Sequence, residues 1–94
     1  MSGAEAGELC TAFHKAEPLS ADEKQTGTAV ALARYDRPEW YVYVPAENAN
    51  GAFYQECVVG GTAADPRWVM TGQALVDGFE ANIEEMRSMD FEAE

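Results

Sequence analysis

The segment PEWYVYVPAENANGAFYQECVVGG, residues 38–61, decides the fold that the sequence predicts. Both of its ends are rich in aromatic and β-branched residues, which favour strands. Between them lies Asn50-Gly51, the pair that gives the strongest short-range signal for a tight β-hairpin. We therefore expect two antiparallel strands joined across Asn50 and Gly51.

Side chains alternate between the two faces of a strand, so the first of these strands sorts its residues into two sets. One set is typical of a buried core: Trp40, Val42 and Val44. The other is a row of tyrosines to which the neighbouring strand adds a member: Tyr41, Tyr43 and Tyr54. If both helices of the fold cover the Trp40 face, the tyrosine row is left near solvent as a contact surface. Alternatively, the tyrosines form a second small core under residues 17–26, or a half-exposed sheet face.

Further strands and a first helix flank the hairpin. The segment TAVALARY, residues 28–35, predicts a strand by its alternation, and RWVM, residues 67–70, predicts a short one. Ser2 and Glu5 have the spacing of a helix capping box, and apolar residues follow at helical spacing. They predict a helix from about Gly3 to Ala16.

A second helix is predicted near the C-terminus. Thr71 is a suitable N-cap, and apolar residues then recur at helical spacing: Leu75, Val76, Phe79, Ile83 and Met86. We expect this helix from about Gly72 to Ser88, and a short helical turn at residues 20–26. The predicted fold is α+β, an antiparallel three- to four-stranded β-meander packed with an N-terminal and a C-terminal α-helix. Residues 1–94 form a single compact domain, with 89–94 as a frayed acidic tail.

The 94-residue chain has 17 acidic and 6 basic residues and a formal net charge of −11. Such a charge repels nucleic-acid phosphates and anionic lipids, so the sequence predicts neither direct nucleic-acid binding nor membrane binding. The N-terminal residues lack the basic start and the apolar run of a signal peptide, and no apolar stretch has the ~18 residues of a membrane span. We therefore expect a cytoplasmic protein.

Cysteine and histidine are the main candidates for metal or nucleophile chemistry. Cys10 and His14 lie four residues apart on one side of the first helix, and Cys57 could join them as a third ligand. A structural zinc site usually has a fourth ligand and paired short spacings, and a reactive thiolate needs an electropositive setting, so neither is predicted. In a reducing compartment we expect both cysteines as buried free thiols, with a disulfide between them as the alternative.

No sequence signature of catalysis or cofactor binding stands out. Gly60 and Gly61 follow a strand but lack the Lys and Ser/Thr of a P-loop, so they predict a flexible turn. No pair of carboxylates can be singled out as a general acid and base. The sequence therefore predicts a protein that is not an enzyme and that binds no cofactor or metal.

From Asp77 to the C-terminus the chain has seven acidic residues and one basic residue. On the second predicted helix, Asp77, Glu80 and Glu84 cluster within about 60° of one another, and Glu85 lies with Glu84 toward the negative end of the helix dipole. Helix stability does not explain this arrangement, which serves either solubility or a basic partner. The predicted partner-binding residues are Asp77, Glu80, Glu84, Glu85, Tyr41, Tyr43 and Tyr54.

In size and acidity the chain resembles small phage-encoded nucleic-acid mimics, such as anti-restriction, anti-CRISPR and glycosylase-inhibitor proteins. The resemblance is one of composition and involves no motif. It implies an acidic protein-binding inhibitor or regulator, whose carboxylates imitate phosphates and block a basic nucleic-acid-handling protein or complex. The alternative is a non-catalytic structural or assembly domain that forms a homodimer through the tyrosine-rich sheet face.

Overall fold

The computed structural model describes residues 1–91, and these form two helices and a five-stranded sheet. In chain order the elements are α1 (Gly3–Ala16), β1 (Lys24–Gln25), β2 (Val30–Ala33), β3 (Trp40–Asn48), β4 (Gly51–Gly61), β5 (Pro66–Ala74) and α2 (Phe79–Ser88). All pairs are antiparallel: β3 pairs with β4 and β4 with β5, while β1 and β2 both pair along the outer edge of β3. The predicted α+β class is confirmed, with more strands than the three or four expected.

The two helices lie on opposite faces of the sheet, so the fold has three layers. α1 packs on one face, where the buried core consists of Ala6, Cys10, Val42, Val44, Cys57 and Val59. α2 packs on the other face, around the buried residues Tyr41, Val58 and Met86. The two faces of β3 alternate as the sequence predicts. However, the condition that both helices cover the Trp40 face is not met, because α2 covers the tyrosine face.

The first helix begins with the predicted capping box. The Ser2 hydroxyl accepts a hydrogen bond from the Glu5 backbone amide at 3.1 Å, and the Glu5 carboxylate accepts one from the Ser2 amide at 2.8 Å. These two bonds satisfy amide donors that a helix start would otherwise leave unpaired. α1 then runs from Gly3 to Ala16, as predicted.

The central hairpin forms as predicted, but its turn is shifted by one residue. Asn48 pairs with Gly51, so the two turn residues are Ala49 and Asn50 rather than Asn50 and Gly51. Gly51 takes a φ of 118°, a conformation that side-chain-bearing residues rarely adopt. Glycine is therefore used at the first residue of β4, where the chain leaves the turn.

The predicted start of the second helix is wrong. Thr71 and Gly72 lie in β5, where they pair with Cys57 and Glu56, so the predicted short strand extends over nine residues. Pairing along β4 accounts for this, because a local helical pattern does not reveal such long-range hydrogen bonds. The helix begins only at Phe79, after Gly78 turns the chain with a φ of 74°.

The segment after α1 contains one hydrogen-bonded turn where a short helical turn was predicted, but no helix. The Glu23 amide donates to the Ser20 carbonyl at 3.3 Å, and the chain then forms β1, whose two residues pair with β3. The Thr26 amide continues this pairing with a 2.8 Å hydrogen bond to the Pro45 carbonyl. The free edge of β3 supplies partners that outweigh the capping pattern of the sequence.

Cys10 and Cys57 form a disulfide between α1 and β4, with their Cα atoms 5.9 Å apart. The prediction of two free thiols is therefore wrong for this structure. The packing of α1 on β4 explains the pairing, because it places both fully buried cysteines in the same apolar core. The bond joins residues 47 positions apart, and closing a loop of that length stabilises the fold by about 4 kcal/mol in the chain-entropy treatment.

The chain remains in contact with the domain beyond α2. Asp90 pairs with Arg37 at 3.1 Å, and the Phe91 ring lies under the Arg34 guanidinium. The frayed tail predicted from residue 89 therefore does not begin there, and its last residues, 92–94, lie outside the described part of the chain. Within residues 1–91, neither helix has the length and apolar character needed to cross a membrane.

Candidate functional site

The predicted acidic residues of the C-terminal region lie on the surface at α2. Glu80, Glu84 and Glu85 are exposed on the helix, and Asp77 is exposed in the linker that precedes it. We call these four residues the acidic face. Among residues 1–91, none of the four forms an ion pair. The protein's own described cations therefore leave the negative charge of this surface unneutralised.

Two arginines next to the acidic face, Arg34 and Arg87, bind other parts of the protein instead of its carboxylates. Arg87 donates from Nε to the Ala33 carbonyl at 2.8 Å, and its guanidinium lies 4.3 Å above the centre of the Tyr35 ring. Arg34 is buried, and it donates from Nε to the Met86 carbonyl at 3.0 Å and from Nη1 to Glu39 at 2.7 Å. Both cations therefore fasten α2 to the β2–β3 region.

Tyr35 holds one member of the acidic face in place. Its hydroxyl lies 3.1 and 3.0 Å from the two carboxylate oxygens of Glu84 and donates its hydrogen bond to that group. The Tyr35 hydroxyl carries no positive charge that could neutralise the carboxylate. Tyr35 therefore positions Glu84 and leaves its negative charge available to a partner. No local sequence pattern indicates this contact, because Tyr35 is the last residue of a predicted strand and lies 49 residues from Glu84.

The tyrosine row lies beneath α2 instead of facing solvent. Tyr41 is 0% exposed and donates from its hydroxyl to the Glu56 carboxylate at 2.7 Å. Burial, followed by the hydrogen bond and negative charge of Glu56, raises the pKa of Tyr41 well above its usual range. Tyr43 and Tyr54 are half-buried, and both contact the Phe79 ring. Tyr41 is thus part of the core, which contradicts its predicted place on an exposed contact surface.

An exposed apolar pair lies beside the acidic face. Leu75 and Val76 are 77% and 48% exposed in the linker between β5 and α2, and we call them the apolar knob. The sequence pattern predicted both as part of the buried stripe of a longer helix. Because the helix starts later, the pair instead stands next to Asp77 on the surface. A pocket of about 400 Å³ adjoins it, lined by Tyr54, Val76, Gly78, Phe79 and Glu80.

The soft-ligand candidates converge in the other core. The ligand atoms of Cys10, His14 and Cys57 all lie within 4.8 Å of one another, and all three residues are buried. With the disulfide formed, the sulfur atoms are bonded to each other, so this state leaves only the imidazole as a free ligand. The sequence analysis named these three residues as one group of candidate ligands, and in the structure they lie together.

Comparison of the chain with protein-family models, with curated proteins and with solved structures finds no match in any of the three.

Proposed function

We propose that this protein is a small acidic inhibitor or regulator, which presents the acidic face of α2 to the basic groove of a nucleic-acid-handling protein. The observation that carries the proposal is the absence of any ion pair to these four carboxylates among the described residues. Arg34 contacts α2 and Arg87 belongs to it, yet both bind backbone carbonyls, and Arg34 also binds a buried carboxylate.

The arrangement of the carboxylates suits a partner that binds phosphates. Glu80 and Glu84 are one helical turn apart, so about 6 Å separates them along the axis. A groove that neutralises the regular charges of a nucleic-acid backbone attracts such a row, and a net charge of −11 speeds the encounter. Folding accounts for only part of this surface: Glu80 in the first turn suits the positive end of the helix dipole, whereas Glu85 in the last turn costs about 0.3 to 1 kcal/mol.

The apolar knob gives the same surface an anchor. Protein interfaces commonly combine a small apolar centre with a polar rim, and a few central residues contribute most of the affinity. Leu75 and Val76 are exposed apolar residues beside Asp77 and Glu80. We therefore propose that the partner has an apolar pocket next to its basic groove.

The alternative function, a homodimer through the tyrosine-rich sheet face, requires that face to be accessible, and α2 packs on it. Phe79 of α2 stacks on Tyr54 at a centroid distance of 3.7 Å, and Tyr41 is fully buried beneath the same helix. A second copy could reach this face only after α2 had left it. We therefore do not retain a tyrosine-mediated homodimer as a proposal.

We propose the cytoplasm as the location, because nucleic-acid-handling enzymes act there on intracellular substrates. The bonded Cys10–Cys57 pair is the observation that opposes this location, since disulfides persist mainly in oxidising compartments. Rapid alkylation of protein taken directly from its source cells tests the point by counting free thiols. Two free thiols per chain support the cytoplasm, whereas a fully bonded population contradicts it.

The proposed function is tested by affinity capture from the source cells and from their natural invaders or hosts. Capture is run at low and at high salt, and duplex DNA is then added to the complexes retained at low salt. A nucleic-acid-handling protein that is lost at high salt and displaced by duplex DNA supports phosphate mimicry. A partner that duplex DNA does not displace, or recovery of the protein only with copies of itself, contradicts it.

A further inference from the structure

Cys10, His14 and Cys57 form a compact group of metal-binding side chains in the core between α1 and β4. Cys10 and His14 lie one turn apart on α1, so their side chains share a face of the helix. Cys57 faces them from β4, and the three ligand atoms lie within 4.8 Å of one another. The group is independent of the acidic face, which lies on the opposite side of the sheet.

The hydrogen bond of His14 fixes which ring nitrogen can bind a metal. His14 Nε2 lies 3.1 Å from the Glu56 carbonyl oxygen, which can only accept, so Nε2 carries the proton and donates it. A neutral ring then has its lone pair on Nδ1. Metal-binding histidines typically donate their other ring N–H to a carbonyl or carboxylate in this way, because that bond sets the tautomer and the ring orientation. Glu56 also precedes Cys57, so one bond aligns the ring with the strand that carries a second ligand.

We propose that reduction of the disulfide converts these three residues into a site for a thiophilic divalent cation such as zinc, bound by both thiolates and by His14 Nδ1. Two thiolates and a neutral imidazole balance a divalent cation, so the loaded core has no net charge. Neutrality matters here because both cysteines are fully buried, and an uncompensated charge in an apolar core is strongly unfavourable. Thiolate and imidazole are also the ligand types that zinc prefers.

The surroundings of His14 supply access and a fourth ligand. His14 lines a pocket of about 350 Å³ whose other lining residues include Glu23, Gln25 and Gln55. This pocket is a route by which the cation reaches the core, and it has room for one water molecule to complete a four-coordinate site. Zinc sites with three protein ligands and one water are an established arrangement. The missing fourth protein ligand therefore does not exclude this site.

The metal-bound and disulfide-bonded forms exclude each other, because each uses the same two sulfur atoms. Reduction transfers two electrons and two protons from a dithiol, which closes to its own disulfide, and leaves two cysteine thiols. Cation binding then releases the two thiol protons to solvent as the metal–sulfur bonds form. In a reducing compartment the bound cation links α1 to β4, as the disulfide does under oxidising conditions.

Cobalt(II) titration of the dithiol-reduced protein tests the proposal, once the excess dithiol, which binds cobalt through its own thiolates, has been removed. His14 is the one histidine of the chain, so any affinity tag of histidines must be removed first. We expect thiolate-to-cobalt charge-transfer absorption that saturates at about one ion per chain and is bleached by zinc. Surface carboxylates that bind cobalt weakly give no such absorption. The disulfide-bonded protein should give none either, which ties the signal to the two sulfurs.

Variants separate the site from adventitious binding. Cys10→Ser should abolish the absorption, and His14→Gln should weaken cobalt binding at least tenfold, since even outer-shell changes cost that much. Glu8→Gln, at an exposed position of the same helix that does not line this pocket, is the matched control and should bind as the parent does. If the reduced chain unfolds, circular dichroism should show that zinc refolds it. A reduced chain with two titratable thiols that gives no charge-transfer absorption and no zinc-dependent refolding overturns the proposal.

Discussion

The rings of Tyr54 and Phe79 stack with centroids 3.7 Å apart and planes inclined by 12°, and this contact fixes the first residue of α2 to the sheet. Tyr43 meets the same Phe79 ring edge-on, with centroids 4.9 Å apart. Phe79 is buried, and Gly78 directly before it makes the turn into the helix. The acidic face is therefore oriented by an aromatic cluster, in which Tyr43 and Tyr54 were predicted from the sequence as a contact surface and Phe79 as a buried residue of the helix.

Replacing Phe79 by Ala should lower the free energy of unfolding by about 3 to 5 kcal/mol, because it removes a buried ring and leaves a cavity between two tyrosines. Urea unfolding measures the loss. Leu75→Ala is the matched control, since Leu75 belongs to the same sequence stripe but is 77% exposed. Its effect should stay within about 0.5 kcal/mol. Equal losses for the two variants would contradict the boundary between the linker and α2.

The sequence predicted local elements better than the way they pack. The capping box at Ser2 and the hairpin signal at Asn50-Gly51 are local, and both led to elements that the structure contains. The stripe from Leu75 to Met86 misled because residues 71–74 are held in the sheet by hydrogen bonds to β4, which no local pattern reveals. Alternation separated the two faces of β3, but it could not tell which helix covers each face.

The candidate site was predictable in charge but not in structure. Sequence reasoning found the four residues of the acidic face, since the count of charges near the C-terminus needs no coordinates. It could not find Tyr35, which binds Glu84 across 49 residues, or the inward turn of Arg87. Both depend on the docking of α2 against the end of β2. Free thiols were predicted for Cys10 and Cys57 because we expected a reducing compartment. The distance between the two cysteines, which allows them to bond, is not visible in the sequence.

Arg34 and Glu39 form a buried ion pair whose loss should be costly. Their side chains are 1% and 7% exposed, and Arg34→Met leaves the Glu39 carboxylate buried without its partner. We expect a loss of about 3 to 5 kcal/mol in urea unfolding. The double variant Arg34→Met/Glu39→Met should recover part of this loss, because it removes the stranded charge as well.

The exposed pair Lys24–Glu47 is the matched control for this cycle, with side chains 70% and 44% exposed. Lys24→Met should change the free energy of unfolding by no more than about 1 kcal/mol, because solvent screens such pairs. If Arg34→Met cost no more than Lys24→Met, the buried pair would have no special role in holding α2 to the sheet.

Tyr41 should make the fold sensitive to alkali. Burial and Glu56 raise its pKa in the folded state, whereas a tyrosine in the unfolded chain ionises near pH 10. Its contribution to stability is therefore complete below about pH 10 and is lost as the pH rises, at up to about 1.4 kcal/mol per pH unit. Tyr41→Phe should show a shallower fall of unfolding free energy between pH 9 and 11, as roughly one titrating group is removed.

At neutral pH the same Tyr41→Phe variant should be less stable by about 1 to 3 kcal/mol, because the buried Glu56 loses a donor and keeps only Asn82 at 3.0 Å. Urea unfolding across a pH series gives both quantities. An alkaline slope identical to that of the parent would mean that Tyr41 ionises as easily in the folded protein as in the unfolded chain.

The acidic face and the apolar knob should affect different steps of partner binding. Reversing Asp77, Glu80 and Glu84 to Lys changes the charge of this surface by six units, so it should slow association at least tenfold at low salt and flatten the salt dependence. Leu75→Ala removes an uncharged anchor, so it should speed dissociation and leave the salt dependence unchanged. Both rates can be followed by surface-immobilised partner binding over a salt series.

The control for these rates is a second triple reversal, of Glu8, Glu17 and Asp65 to Lys, which changes the net charge equally at exposed positions away from α2. If the protein acts through its overall charge, the two triple variants should slow association alike. If it acts through the acidic face, the control should retain most of the parent rate, because at physiological salt charges more than about 8 Å from the interface are largely screened. Thermal unfolding of all variants should stay close to that of the parent, since every replaced side chain is exposed and the one hydrogen bond lost, from Tyr35 to Glu84, is exposed as well. Equal slowing by both triple variants in well-folded proteins would therefore remove the acidic face as a binding surface and leave its charge a role in solubility alone.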